Sequence, residues 1–145
     1  FIQSGQSSGA QVLAGGQRLG GDLSQGYFLA PTIFAHQSDD LEIIKQEIFG
    51  PVAAISAFDD WDELISRANA TRYGLAAGAW TRDLGKAHRF AQSVRAGAVW
   101  INGYGLFDAA VPFGGYKESG FGREMGKEAL DLYTQTKSIW IGLQA

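Results

Sequence analysis

Glu47-Ile48-Phe49-Gly50-Pro51 joins an acid to an aromatic residue inside a turn that glycine and proline impose. At the mouth of an apolar strand, such a carboxylate can accept hydrogen bonds from sugar hydroxyls, and such a ring can pack on a planar base. The same segment also reads as structure alone, with Gly50-Pro51 ending a helix, Phe49 in the core and Glu47 as a solvated charge. The second chemical candidate is Val111-Pro112-Phe113-Gly114-Gly115-Tyr116-Lys117-Glu118-Ser119-Gly120-Phe121-Gly122-Arg123-Glu124, with four glycines and one proline among aromatic and charged residues. Such a run is expected to be a shaped loop rather than regular helix or strand, and loops held by rigid elements carry much binding and catalysis. Phe107 and Phe113 flank its entrance, either as core residues or as the lining of an apolar pocket.

The glycines do not form a phosphate cradle. Gly120-x-Gly122 is followed by Gly126, so the G-x-G-x-x-G spacing fails by one residue, and no G-K-[ST] occurs. The chain has no cysteine, which excludes disulfides, thiolate metal sites and a cysteine nucleophile within these residues. His36 and His88 are the only histidines, so a zinc site would have to draw on scattered carboxylates, and no metal is expected. His88, beside Lys86 and Arg89 in a helical pattern, reads as a surface residue, and the sequon Asn69-Ala70-Thr71 as a chance match.

The elements that position these residues alternate regularly. A helix end and a short strand around Val12-Leu13 precede an apolar extended segment over 27–34. Ser38-Asp39-Asp40 caps a short helix that Gly50-Pro51 stops. Strands are expected over 52–58, 75–80 and 98–101. Between them lie a helix capped by Asp59 or Asp60, with Trp61, Leu64, Ile65 and Ala68 on one face, and another starting at Thr81 or Asp83. In the second helix Leu84, Ala87, Phe90, Ala91 and Val94 share a face. This order predicts parallel pairing with right-handed crossovers, and ligands collecting at the carboxyl ends of the strands, where Asn102 lies. A last helix over 124–134 and a last strand over 137–141 complete the pattern.

At 145 residues the chain has the length of one domain, enough to bury roughly 70% of its unfolded surface. A composition 46% hydrophobic and 19% charged is that of a globular protein. The net charge of −3, with signs interspersed and no basic stripe, argues against a nucleic-acid partner. No apolar run approaches the ~20 residues that cross a bilayer. No basic-then-apolar leader begins at Phe1, so a cytoplasmic protein without a membrane partner is expected. The first residue is not methionine, which points to a fragment, a processed chain or a trimmed one.

Taken in order, these segments resemble the carboxyl-terminal part of the NAD(P)-dependent aldehyde dehydrogenase superfamily. The resemblance is carried by Glu47-Ile48-Phe49-Gly50-Pro51-Val52, by Asn69–Thr71 with Tyr73-Gly74-Leu75, and by Gly97–Asn102. It continues through Pro112–Lys117, Ser119-Gly120, Gly122-Arg123-Glu124 and Gly126 to Tyr133-Thr134 and Lys137. It implies an α/β fold with a partial parallel, Rossmann-like sheet and flanking helices, residues 1–135 being part of a catalytic domain and 136–145 an oligomerisation strand. By the same resemblance, Glu47 hydrogen-bonds the nicotinamide ribose hydroxyls and Phe49 packs on that end of NAD or NADP. Phe107 and Phe113 line an aldehyde tunnel, and Asn102 borders it. The terminal strand would join a partner subunit's sheet in a homodimer or homotetramer. The family's chemistry runs through a cysteine thiolate that attacks the aldehyde, hydride transfer to nicotinamide, and a glutamate base that activates water to hydrolyse the thioester. Both groups fall upstream of Phe1 in the family pattern. The resemblance thus implies an aldehyde-oxidising parent enzyme and a chain inactive alone. A non-catalytic assembly or interaction module derived from such an enzyme is the alternative, and a residual cofactor-binding module a third reading.

Overall fold

The computed structural model describes residues 1–143. The chain gathers into two compact units, Phe1–Thr71 and Arg72–Ala145.

The first unit contains α1 (Ile2–Ser7), β1 (Gln11–Ala14), β2 (Thr32–Ala35), α2 (Glu42–Lys45), β3 (Val52–Ile55) and α3 (Trp61–Asn69). Its sheet has the order β1-β2-β3, with β1 antiparallel to β2 and β3 parallel to it. Phe34 of β2 is fully buried and forms a cluster with Ala10 and Ile43. Ile2, Val12, Leu41, Ile44, Ile48, Val52 and Ala54 pack around that cluster. Gly5 of α1 lies against the Phe34 ring, where a Cβ would stand 3.1 Å from it. Thr32, also buried, donates through Oγ1 to the Ala30 carbonyl (2.8 Å) and accepts from the Gly16 amide (2.9 Å).

Of the two aspartates that could cap α3, Asp60 does so, accepting from the Asp62 and Glu63 amides at 2.8 Å each. Such a cap stabilises by about 1 kcal/mol. Arg67 then ties the helix down. It donates from Nε and Nη2 to the two carboxylate oxygens of Asp39 (2.7 and 2.9 Å). It also donates to Glu63 Oε1 (3.1 Å), to the Ala57 carbonyl (2.9 Å) and to Ser56 Oγ (2.5 Å). Those last acceptors explain why β3 ends at Ile55 rather than at Phe58: the chain turns there to meet the guanidinium.

The second unit contains β4 (Tyr73–Gly74), β5 (Ala76–Ala79), α4 (Leu84–Ser93), β6 (Ala98–Ile101), β7 (Tyr116–Lys117), a 3-10 turn (Lys127–Ala129) and α5 (Leu130–Tyr133). Strands β5 and β6 pair in parallel, Ala76 opposite Ala98 through Ala79 opposite Ile101, with α4 as the crossover. Asp83 caps α4 by accepting from the Lys86 amide (2.9 Å).

The fold is α/β with mixed sheets that include parallel strands. The expected series of three parallel strands is realised for β5 and β6, whereas β3 takes β2 as its parallel partner. On α4 only Ala87 and Phe90 are buried, and Leu84, at its first turn, is exposed. The segment 27–31 precedes β2 as an irregular arm, bridged from Leu29 to Arg18. The last helix starts later than the pattern suggests, because Met125 and Gly126 hold φ angles of 58° and 57°, outside the right-handed helical region. Residues 137–141 form no strand here. A ladder needs a partner, and Ile139, Trp140 and Ile141 are exposed. The expected tail 136–145 also runs past the described residues at 144. No helix among the described residues is long and apolar enough to cross a membrane.

Arg67 holds the Asp39 carboxyl below the usual carboxylate range, chiefly through its hydrogen bonds, and is itself pushed up by Asp39. A depressed carboxylate contributes stability above its unfolded pKa and loses it as pH falls through the folded value. Asp39→Asn is therefore expected to lower the urea midpoint modestly at neutral pH, with the gap from wild type closing in acid. A gap that persists unchanged into strong acid would count against this role for the pair.

Candidate functional site

The turn after α2 separates a buried side chain from an exposed one. Ile48 packs against the Phe34 cluster, while Phe49, the next residue, stands 94% exposed. The backbone arranges this. Phe49 has φ of 46°, in the left-handed region that non-glycine residues rarely enter. Gly50 then accepts from the Val52 amide at 2.7 Å, and the Pro51 carbonyl accepts from the Thr32 amide at 2.8 Å, so the turn hangs from the β2–β3 ladder. Holding such a residue there costs of order 1–3 kcal/mol, which surrounding contacts offset. Glu47, on the other side of Ile48, is exposed. The reading of Phe49 as a core residue is overturned: Ile48 is the core residue, and Phe49 is presented outward. Glu47 and Phe49 together offer a carboxylate and an open ring face on one strained turn, the chemistry a sugar and an adjoining planar ring require.

In the second unit, aromatic rings gather at the end of β6 and in the loop beyond it. Trp100 lies 4.8 Å from Tyr104 and 5.6 Å from Phe107, centroid to centroid, and Phe107 meets Phe113 edge-on at 5.0 Å. With Leu106, Val111 and neighbouring residues, Trp100, Phe107 and Phe113 line a cavity of about 320 Å³. Phe107 is 57% exposed and Phe113 half-buried, so both expected tunnel residues border open space. Phe113 is pinned from behind by exchanging two 2.7 Å backbone hydrogen bonds with Glu124.

Asn102 serves differently from a pocket-lining group. Its Nδ2 donates to the Thr81 carbonyl (2.9 Å), and its Oδ1 accepts from the Thr81 amide (2.8 Å). The side chain thereby extends the β5–β6 ladder by one rung, on a backbone with φ of 55° that asparagine tolerates better than most residues. It holds the turn from which the aromatic loop departs.

The glycine-rich run is a clamped structure rather than an open loop. Tyr116–Lys117 is a strand, β7, antiparallel to β4, which corrects the expectation that the run contains no regular ladder. Ser119 Oγ accepts from the Gly74 amide at 2.9 Å. Arg123 donates to the carbonyls of Gly115 (3.1 Å) and Gly122 (2.6 Å), with its guanidinium 5.4 Å from the Tyr116 ring centroid. Glu118 binds Arg72 and holds that guanidinium's pKa above its ordinary value. Beneath the run, a Cβ on Gly97 would fall 1.6 Å from the Gly114 carbonyl oxygen, so the two backbones touch. Sequence reasoning missed Arg123, Ser119 and Trp100 as site-building residues. Their partners are backbone atoms and rings brought close only by folding. Among the described residues no group of three or more acidic or histidine side chains is placed to hold a metal.

Residues 1–139 match the sequence profile of the aldehyde dehydrogenase family. The chain is 51% identical over 144 residues to the protein DhaS of Bacillus subtilis (strain 168), covering 99% of this chain and 28% of that protein. It is 50% identical to the fluoroacetaldehyde dehydrogenase of Streptantibioticus cattleyicolor, covering 100% of this chain and 29% of that enzyme. Among solved structures, the NAD+ complex of an aldehyde dehydrogenase from Bacillus cereus superposes with a TM-score of 0.88 at 51% identity, over 99% of this chain and 28% of that one. The chain thus spans a little over a quarter of the length of the relatives it matches.

The contact between Gly97 and Gly114 makes a sharp prediction. Gly97→Ala should destabilise the protein by more than about 3 kcal/mol or abolish soluble expression, since backbone must move to admit the methyl. Gly20→Ala, where a Cβ would meet nothing within 4 Å, is expected to stay within about 0.5 kcal/mol of wild type in the same denaturant titration.

Proposed function

Because the chain belongs to the aldehyde dehydrogenase family, we propose that it is the carboxyl-terminal part of an NAD(P)-dependent enzyme that oxidises an aldehyde to a carboxylate. The observation that carries the proposal is the turn at Phe49, where an exposed ring and a neighbouring carboxylate are held at a backbone cost that core packing does not require. In this reading Glu47 accepts hydrogen bonds from the nicotinamide ribose hydroxyls, and Phe49 packs on that end of the cofactor. NAD or NADP, when bound, supplies the hydride acceptor. Phe107 and Phe113 form part of the aldehyde tunnel, excluding water from the path to the reacting carbonyl, and Asn102 fixes the tunnel's border through Thr81.

The cysteine nucleophile and the glutamate base are assigned to polypeptide outside these residues, so the 145-residue chain by itself is inactive in this proposal. Residues 1–135 belong to the catalytic domain, and 136–145 to a strand that pairs with a partner subunit in a homodimer or homotetramer. The unpaired, apolar course of Ile139, Trp140 and Ile141 supports that role. The proposed location is the cytoplasm.

The test starts from the reading frame upstream of Phe1. The extended protein is expected to contain a cysteine and to reduce NAD+ or NADP+ in the presence of an aldehyde, while the 145-residue chain shows no turnover. An extended frame without cysteine, or without aldehyde-dependent reduction of either nucleotide, would refute the proposal. Within the active enzyme, Phe49→Ala and Glu47→Gln should each raise the cofactor KM by about tenfold, with a smaller change in the aldehyde KM.

A further inference from the structure

We infer that Trp100 is a positioning residue that sets the aperture of the proposed aldehyde tunnel by holding the loop that carries Phe107. The inference rests on the reading of Phe107 and Phe113 as tunnel wall.

Trp100 sits in β6 opposite Gly78 of β5. Gly78 has no side chain, and the Tyr104 ring occupies that space, within 3.0 Å of where a Cβ would be. The Trp100 ring therefore packs on Tyr104, early in the loop that follows β6. Its indole Nε1–H then reaches across to donate to the Leu106 carbonyl at 2.8 Å. Leu106 directly precedes Phe107, and the Trp100 ring also meets Phe107 edge-on. One side chain on a rigid strand thus touches the loop at Tyr104, Leu106 and Phe107.

The consequence concerns Phe107. It is more than half exposed, and its ring packs edge-on against Trp100 and Phe113. Phe113 is fixed by its backbone exchange with Glu124, so the distance between the two phenyl rings depends on where the loop stands. The loop is anchored at its start by Asn102, at Leu106 by the indole N–H, and beyond Phe107 at Ala109, whose carbonyl accepts from the Gly126 amide (2.9 Å). Removing that N–H leaves the Leu106 carbonyl without this donor and frees Phe107 to move relative to Phe113. Substrates large enough to touch both rings then lose shape discrimination, while a small aldehyde that touches neither is unaffected.

The experiment uses the full enzyme carrying this chain. Trp100→Phe keeps an aromatic ring and removes the N–H. A site-specific benzothienylalanine at position 100 keeps the indole shape, lacks the N–H, and covers the case in which the phenylalanine variant does not fold. Two readouts are taken: hydrogen exchange across residues 102–111, and kcat and KM for acetaldehyde against benzaldehyde. The expected result is faster exchange in the loop, a benzaldehyde KM changed by about three- to tenfold, and acetaldehyde constants and both kcat values within about twofold of wild type. Unchanged exchange overturns the inference, and so does a loosened loop with an unchanged KM ratio. An enzyme that oxidises no aldehyde in wild-type form defeats the functional reading instead, and the exchange arm alone then decides whether Trp100 holds the loop.

Discussion

The second unit depends on a place where two backbones touch without side chains between them. Gly97 immediately precedes β6, and its missing Cβ is replaced by the carbonyl of Gly114. That contact seats the glycine-rich run directly on the sheet. Once seated, the run can pair with β4, offer Ser119 to the Gly74 amide and present its carbonyls to Arg123. Phe113, one residue before Gly114, is carried into place by the same contact and meets Phe107 across the cavity. Glycine here supplies closeness more than flexibility, since neither Gly97 nor Gly114 has positive φ.

The first unit solves a related problem by strain. Its turn must keep one apolar residue in the core and expose the next, and alternation along an extended strand already does that. The left-handed residue at Phe49 changes the direction of the chain as well, so that the ring leaves the β2–β3 layer while Ile48 stays beneath it. A left-handed phenylalanine that returned its ring to the core would be hard to explain. One that projects its ring into solvent fits a surface that recognises a planar partner.

Periodicity and capping chemistry were enough to read β6 to its ends, and to identify Asp60 and Asp83 among the caps. Each is a local property: a half-buried apolar run of four residues, or an aspartate one position before a helix. Strand partners were less legible, because pairing β3 with β2 rather than with a later strand depends on contacts far along the chain. The start of the last helix was misread because Met125, an ordinary helix former, is held left-handed beside Gly126, and Glu124 is drawn into a bridge with Phe113. The proposed site residues Glu47, Phe49, Phe107 and Phe113 are picked out by motif order, yet their geometry is not. That asparagine 102 spends both ends of its amide on Thr81 follows from the parallel register of β5 and β6, which no residue pattern states.

Large apolar side chains are exposed in both units. Although 46% of the chain is hydrophobic, the buried hydrophobic residues among those described are Ala10, Phe34, Ile43, Ala87, Phe90 and Ala96, half of them alanines. Large apolar side chains stand out instead in the Tyr27-Phe28-Leu29 arm, at Phe49 and Phe121, and along Ile139-Trp140-Ile141. Isolated exposed hydrophobics are ordinary, but contiguous ones mark surfaces that another polypeptide or a ligand covers. The arm and the tail are contiguous, whereas Phe49 is a single ring on a strained turn. In the proposed function the tail meets protein and Phe49 meets a planar ligand, and exposure of both is consistent with that reading. That proposal thus assigns assembly to a contiguous apolar stretch and cofactor recognition to one ring on a strained turn.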